Sequence, residues 1–450
     1  MNEQNGLKKE LSFFTVLMLV IGIVIGSGVF YKPHALYTAT NGAPGLGILA
    51  WIVGGILALF GALTAAELSA AIPKTGGMIP WIREGFGDVP AYLLGWSQTV
   101  VTWPSFIAAL GVIFGKTAII LLGVSESWSL PIAICAIVFL ISMNCISTKL
   151  GGQIGSVSTV IKLIPLIFII IIGLVKGPSV GNGAANLLPF TVADGDTSIF
   201  AALCAATLAT LYAYQGWIDA GALAGEMKNP SRDLPLALTL GLSIIMTIYI
   251  AINIAYLFVL PASHFVQSET PAMDVAKVLF GETGGTLINV AILISVFGAL
   301  NANIMAGIRA PYTLAIKNQL PFSNWLKKVN EKTHTPINCG IYMAVVASIY
   351  ASTGGFDFLT NITVVTTWIF YIVVFLAVIK LRITQPELNR PYRVPLYPII
   401  PIIAIVGGAA VVFMALKSDF SNNVMGIVIT LLGLPVYYVI RNKFVEEEAQ

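Results

Sequence analysis

Residues 14–38 read FTVLMLVIGIVIGSGVFYKPHALYT, an apolar run interrupted in its middle by Gly26-Ser27-Gly28. A bilayer-spanning helix needs roughly 20 apolar residues, so the run qualifies as a span. Glycine costs about 1 kcal/mol in a helix interior relative to alanine, and two in three positions invite local unwinding. The stretch therefore reads as a membrane helix that breaks halfway. Eleven more windows of spanning length follow, at about 46–71, 92–115, 130–147, 153–175, 198–225, 235–260, 284–312, 337–353, 358–380, 397–416 and 423–440. The whole chain is 57% hydrophobic and 10% charged. Soluble domains carry about 25% charged residues, so water is not the main solvent of this fold. The expectation is an all-α membrane domain of twelve helices covering residues 1–450.

Charge distribution orients the chain. With both termini inside, 18 of the 24 Lys and Arg fall in cytoplasmic segments. Lys116, Lys176, Lys277 and Lys417 lie outside, and Lys32 and Lys162 lie within spans. The reverse orientation would invert the positive-inside rule. The basic start MNEQNGLKKE precedes a run too long for a signal-peptide core, so no cleaved leader is expected.

The four cysteines (Cys135, Cys145, Cys204, Cys339) fall in or beside spans, without metal-ligand spacing. His34, His264 and His334 are scattered. No Ser/His/Asp arrangement and no phosphate-cradling glycine loop appears, so the residues offer no enzyme chemistry, cofactor site or nucleic-acid surface.

A second break matches the first. The sixth window carries Gln215-Gly216-Trp217 midway, and each broken window opens a block of five spans. Five is odd, so the second block enters the membrane with opposite polarity. Repeat one covers about 14–175, repeat two about 198–380, and two extra helices about 397–440. Inverted repeats with broken first helices describe a transporter architecture that holds solute at the bilayer midplane.

An unwound turn in hydrocarbon leaves backbone N–H and C=O groups that need partners. The half-helix after Gly28 starts with free N–H groups and a positive dipole end, where a carboxylate docks. The half-helix before it ends in free carbonyls at Val24 and Ile25, which accept from an ammonium. Tyr212 to Trp217 offer the same pair of ends. A zwitterionic α-amino acid matches both, with no charged side chain required.

Lys162, in GSVSTVIKLIPLIF, is the lysine near the middle of a span. A buried ammonium needs acceptors or a function. The reading is that it bonds the orphan carbonyls of the first break and a hydroxyl on span 8, placing a fixed charge where related architectures hold sodium. Glu67, Arg309, Glu226 and Lys228 lie near inner span ends and read as gate or interface ion pairs. Asp219 follows the second break, as a proton sensor or an inner-gate polar group.

These motifs carry a family resemblance. IGSGVF (25–30), PKTGG (73–77), LYAYQGW (211–217) with EMKNPSRDLP (226–235), FGALNANIMAGIRAPYTLA (297–315) and RPYRVPLYP (390–398) resemble, in order, the amino acid–polyamine–organocation (APC) superfamily. Within it the chain resembles the L-amino acid transporter (LAT) family, of the bacterial serine/threonine or alanine-serine-cysteine exchanger type. The resemblance implies a LeuT-like 5+5 inverted repeat plus two helices. It further implies sodium-independent exchange of neutral L-amino acids by alternating access. Carried over, the substrate site comprises Val24, Ile25, Gly26, Ser27, Gly28, Tyr212, Ala213, Gln215 and Gly216. Backbone N–H groups around Ser27 and Gly28 take the carboxylate, and carbonyls at Val24, Tyr212 and Gln215 take the amino group. Tyr212 is the aromatic gate, Lys162 bridges the first break to Ser295, and Tyr249 helps control opening.

Two departures qualify the resemblance. Gln215 stands where the family commonly has glycine, which weakens any inference about side-chain specificity. Animal members pair with a glycoprotein through a cysteine after span 3, and residues 116–129 contain none. A bacterial plasma-membrane protein acting as a monomer is therefore expected. The favoured substrates are alanine, serine, threonine and cysteine, from the bulk of Tyr212 and Gln215. A proton-coupled importer with Asp219 or Glu67 titrating is the alternative. A channel would need rows of polar pore residues, which the spans lack, and a non-transporting sensor would show no saturable uptake.

Overall fold

The break at Gly26-Ser27-Gly28 separates two helices in the computed structural model, which describes residues 12–72, 77–146, 148–191, 198–218, 227–333 and 335–443. Helix α1 (Phe13–Val24) is capped at its start by Ser12, whose side chain accepts from the Thr15 N–H. It ends as Ile25 turns extended, and α2 (Gly28–Ala39) departs at 46°. There follow α3 (Pro44–Ala71), a short α4 (Met78–Phe86), α5 (Asp88–Leu122), α6 (Ser129–Ile146) and α7 (Thr148–Val180). The second half contains α8 (Ile199–Ala213), α9 (Pro230–Val259), α10 (Pro271–Ala315), α11 (Ile337–Thr353), α12 (Phe356–Thr384), α13 (Ile399–Ser418) and α14 (Phe420–Ile440).

Among the described residues, nine helices are long and apolar enough to cross a bilayer, and the bent pair α1–α2 adds a tenth. Helices α8 and α11 are apolar but shorter. The expected window 198–225 thus divides into α8, a turn at 214–218, and residues outside the described set. The window 284–312 is the latter part of α10, which bends where Gly281 takes φ 72°. Helix α12 runs to Thr384, past the expected window end at 380, and Arg390 caps it. Its guanidinium donates to the carbonyls of Leu381 and Gln385 at 2.8 and 2.9 Å.

The helices sort into two groups. In one, α1 packs on α9, α2 and α3 on α8, and α3 on α9. In the other, α5 packs on α6, α10 and α11, and α7 on α10, while α7 also packs on α9 and so joins the two groups. Helix α12 lies against α5 and α3, with α13 and α14 outside it. Apolar side chains such as Phe139, Phe168, Val175, Phe413 and Val439 stand exposed around the perimeter. This is the inversion expected of a protein whose solvent is lipid.

Charge is handled by pairing. Glu67, buried in α3, accepts from Arg382 Nε and Nη2 at 2.8 and 2.5 Å and from the Val394 N–H at 2.8 Å. Arg390 completes the shell at 3.4 Å. One buried carboxylate therefore fastens α3, the end of α12 and the loop after it on the N-terminal face.

Candidate functional site: two helix breaks joined by a tyrosine

A helix that stops in the membrane frees its last carbonyls. In α1 the acceptor one turn before Gly26 is the Gly22 carbonyl, which takes its bond from Lys162 Nζ of α7. The Val24 carbonyl is reached by Tyr249 Oη of α9 at 3.2 Å, and the same hydroxyl lies 3.0 Å from the Ala213 carbonyl at the end of α8. The phenol has one hydrogen, so it is shared between the broken ends of both helices. Trp51 and Tyr214 pack on its ring at 5.2 and 5.1 Å and hold it there.

The breaks also touch directly. A Cβ placed on Gly28 would lie 2.7 Å from both Cα and Cβ of Ala213. The first turn of α2 therefore reaches the end of α8 only with hydrogen at that position. Gly216 turns the chain after α8 with φ +101°, and Ile23 fills the space beside it. No side chain caps the start of α2, so its leading N–H groups stay available beside Ser27 and Gly28.

Tyr212 covers this junction. Its ring meets Phe106 and Phe356 edge-on, at 5.3 and 5.5 Å between centroids, and its hydroxyl lies 3.5 Å from Ser27 Oγ. On the N-terminal side of the ring is a cavity of about 30 Å³, lined by Gln98, Thr102, Trp103, Phe106, Gln215 and Thr367 among others. Such a space holds a water or two, so an amino acid enters only if the helices part. On the other side a vestibule of about 270 Å³ runs past His34, Asp357, Asn361 and Asn423.

Comparison with known proteins now decides the family. A family model described as amino acid permease matches residues 11–434. The chain belongs to the amino acid permease family. The permease is 41% identical over 442 residues to the serine/threonine exchanger SteT of Bacillus subtilis (strain 168), covering 98% of this chain and 99% of that one. It is 29% identical to the mouse b(0,+)-type amino acid transporter 1 (96% and 88% covered) and 28% identical to the human cystine/glutamate transporter (97% and 86% covered). Membership places the permease among APC transporters rather than enzymes.

The site residues expected from sequence gather at the junction: Val24, Ile25, Gly26, Ser27 and Gly28 from the first break, and Tyr212, Ala213, Gln215 and Gly216 from the second. Lys162 reaches Gly22 rather than Val24 or Ile25. The buried Ser295 hydroxyl has no hydrogen-bond partner among the described residues, so the structure draws no bond between it and Lys162. The Tyr212 carbonyl already accepts from the Gln215 N–H at 3.2 Å. Gln215 Nε2 donates to Thr367 of α12 at 3.2 Å, while its Oε1 is buried without a partner. Asp219, Glu226 and His334 lie outside the described residues.

Two further groups at the site carry little mark in the sequence. One is the π-helical turn Gln98–Thr102 in α5, whose first and last residues line the cavity. Its displaced carbonyls at Thr99 and Val100 accept from Tyr342 and Tyr350 of α11, at 3.4 and 3.0 Å. The other is Lys32 with Asp357 and Thr360, whose only sequence signal was a second lysine inside a span.

Proposed function

We propose that the permease exchanges small neutral L-amino acids (alanine, serine, threonine and cysteine) across a bacterial plasma membrane, without sodium, by alternating access. The observation that carries this reading is the pair of broken helix ends brought to one point and bridged by Tyr249. Free N–H groups at the start of α2 suit a carboxylate, and the Val24 and Ala213 carbonyls suit an ammonium that takes over from the phenol. No charged side chain of the substrate is called for. The similarity to a serine/threonine exchanger supports the same substrate class.

Lys162 places a fixed cation on the first break, the reason for proposing sodium independence. Gln215 and Tyr212 crowd the cavity and favour small side chains. Both termini are taken as cytoplasmic, which puts the Glu67 cluster inside and the Asp357 vestibule outside. With no cysteine in residues 116–129, the permease is taken to act as a monomer without a disulfide-linked heavy subunit. Three donor groups besides the backbone engage Glu67, which weighs against its carrying a transported proton.

The test is radiolabelled serine uptake into proteoliposomes, with and without internal serine, sodium and a pH gradient, against competition by the twenty L-amino acids. Uptake should require internal amino acid and ignore sodium, with alanine, serine, threonine and cysteine competing best. Gradient-driven uptake into empty vesicles would reject exchange, and best competition by leucine or arginine would reject the size argument.

A further inference from the structure

Lys32 is absent from the mechanism so far, yet it is among the most completely buried large side chains of the described structure. It lies on α2, one turn beyond the break. A vestibule lies close by, and a lysine at such a position ordinarily snorkels its ammonium into it. The ammonium turns inward instead and remains 1% exposed. Asp357 Oδ1 accepts from it at 2.7 Å and Thr360 Oγ1 at 2.6 Å, both on the first turn of α12. Thr360 is free to accept because its own hydrogen goes to the Asp357 carbonyl at 2.9 Å. The same ammonium sits 5.1 Å from the Tyr212 ring centroid and 4.8 Å from that of Phe356. These are attractive distances for a cation over a π-face, and more so in a dry site.

The partners of this one group therefore span three elements. Asp357 and Thr360 belong to α12, Tyr212 to α8, and Lys32 itself to α2. Asp357 also lines the vestibule, with its side chain 46% exposed, whereas Phe106 under Tyr212 lines the small cavity. The cluster thus stands between the two spaces. Next to it Tyr31 of α2 is hydrogen-bonded to Thr117 of α5 at 2.5 Å, which fixes the same helix to the other group.

We infer that Lys32 is the positioning residue of the Tyr212 lid: its ammonium, clasped by Asp357 and Thr360, holds α2, the lid and α12 together, and this clasp opens each time substrate passes between vestibule and cavity. The inference rests on the transport reading above, since a lid matters only if something passes under it. Removing the carboxylate loosens α12 from α2. Removing the ammonium frees the two rings as well. Either change shifts the population towards the state in which the cavity is open to the vestibule. A merely structural ion pair would alter stability on loss without changing which side of the lid can be reached.

Sided labelling tests it in the full-length permease, with its four cysteines replaced. Thr102→Cys reports on the cavity and Ala35→Cys on the vestibule. Intact cells receive a membrane-impermeant maleimide. Ala35→Cys should label in every background, which establishes the face reached; failure there with a folded protein would overturn the orientation on which the clasp depends. Thr102→Cys should label slowly in the parent, and about tenfold faster with Lys32→Met or Asp357→Asn, as a population shift requires. Lys32→Arg, which keeps the cation, should stay near the parent. Labelling of Thr102→Cys that is unchanged by both Lys32→Met and Asp357→Asn overturns the inference. If Lys32→Met does not fold, Asp357→Asn, half exposed at a helix start, decides the matter alone. Labelling needs no substrate, so loss of serine exchange in the parent would reject the transport reading while leaving the clasp result distinct.

Discussion

The contact between Gly28 and Ala213 supplies the sharpest test of the junction. In Gly28→Ala the added methyl would sit 2.7 Å from Cα and Cβ and 3.3 Å from N of Ala213. Carbon atoms rest at about 3.5–4.0 Å. Helix α2 and the end of α8 must therefore separate by roughly an ångström, and neither side offers a flexible tip that can swing aside. Overpacking of this kind costs about 1–3 kcal/mol. Gly26→Ala, two residues earlier, is the control. The nearest atom to its Cβ is the Val24 carbonyl oxygen at 3.9 Å, and Gly26 is not among the positive-φ glycines. Alanine there fits, and it lowers the entropy of the unfolded chain, worth about 0.4–1 kcal/mol in favour of folding.

The two variants should accordingly move in opposite directions in a thermal or denaturant unfolding assay of purified protein. Gly28→Ala should also lose exchange, because the displaced residue is the one whose carbonyl shares Tyr249. A penalty of 1–3 kcal/mol corresponds to roughly 5- to 150-fold in the population of the joined state. Serine counterflow in proteoliposomes reads that loss. A Gly28→Ala protein that is as stable and as active as its parent would refute the reasoning. So would Gly26→Ala proving the more destabilising of the two.

Other outcomes follow from single atoms. Tyr249→Phe removes the donor shared by the Val24 and Ala213 carbonyls, and leaving buried acceptors unmet costs about 1–3 kcal/mol; exchange should fall roughly 5- to 150-fold while the protein still purifies as a monodisperse species. Glu67→Gln leaves Arg382 and Arg390 without their anion, a change worth about 3–5 kcal/mol when one partner of a buried pair is removed. Its unfolding midpoint should drop, and the dependence of serine uptake on a pH gradient should stay as in the parent; a lost gradient dependence would revive proton coupling through Glu67. Gln215→Gly deletes an amide that bridges to Thr367 and ends in an unpartnered oxygen, so competition by leucine should strengthen relative to alanine, read in the same panel.

How far the sequence reached is visible residue by residue. The glycine-marked breaks after Val24 and Ala213 were legible, because backbone weakness is a local property. Lys162 was legible because a mid-span charge is conspicuous, although the carbonyl it takes is at Gly22, two residues before the Val24 carbonyl that the break suggested. Gly26 and Gly28 looked alike in the string, and only the approach of Ala213 separates them. Lys32 and Asp357 stand 325 positions apart; their meeting depends on how α2 and α12 pack in three dimensions, which no local pattern encodes. The π-turn QTVVT (98–102) has one mark, Pro104, which has no N–H for the Val100 carbonyl one turn back; that the freed carbonyls at Val100 and Thr99 accept from Tyr350 and Tyr342 on the facing helix was not legible. Helix count was the weakest reading, because α8 and α11 are short and window length alone did not show it.

The placement of charge explains why backbone, rather than side chains, lies at the junction. A charge at the bilayer centre is costly unless it is paired. The permease pairs its buried charges towards the two faces: Lys32 with Asp357 on one side, and Glu67 with Arg382 and Arg390 on the other. Both pairs end on α12, one at its first turn and one at its last. Between them the joined breaks hold only dipoles, with Lys162 bound to a carbonyl beside them. A fixed anion or cation facing the cavity would bind half of a zwitterion strongly and oppose the other half. Opposed N–H and C=O ends bind both halves at once, and they can be released by parting two helices without stranding a bare charge in hydrocarbon. On the transport reading proposed above, the ion pairs on α12 would resist that parting at each face in turn, and their strength, rather than that of the substrate contacts, would set how often each side opens.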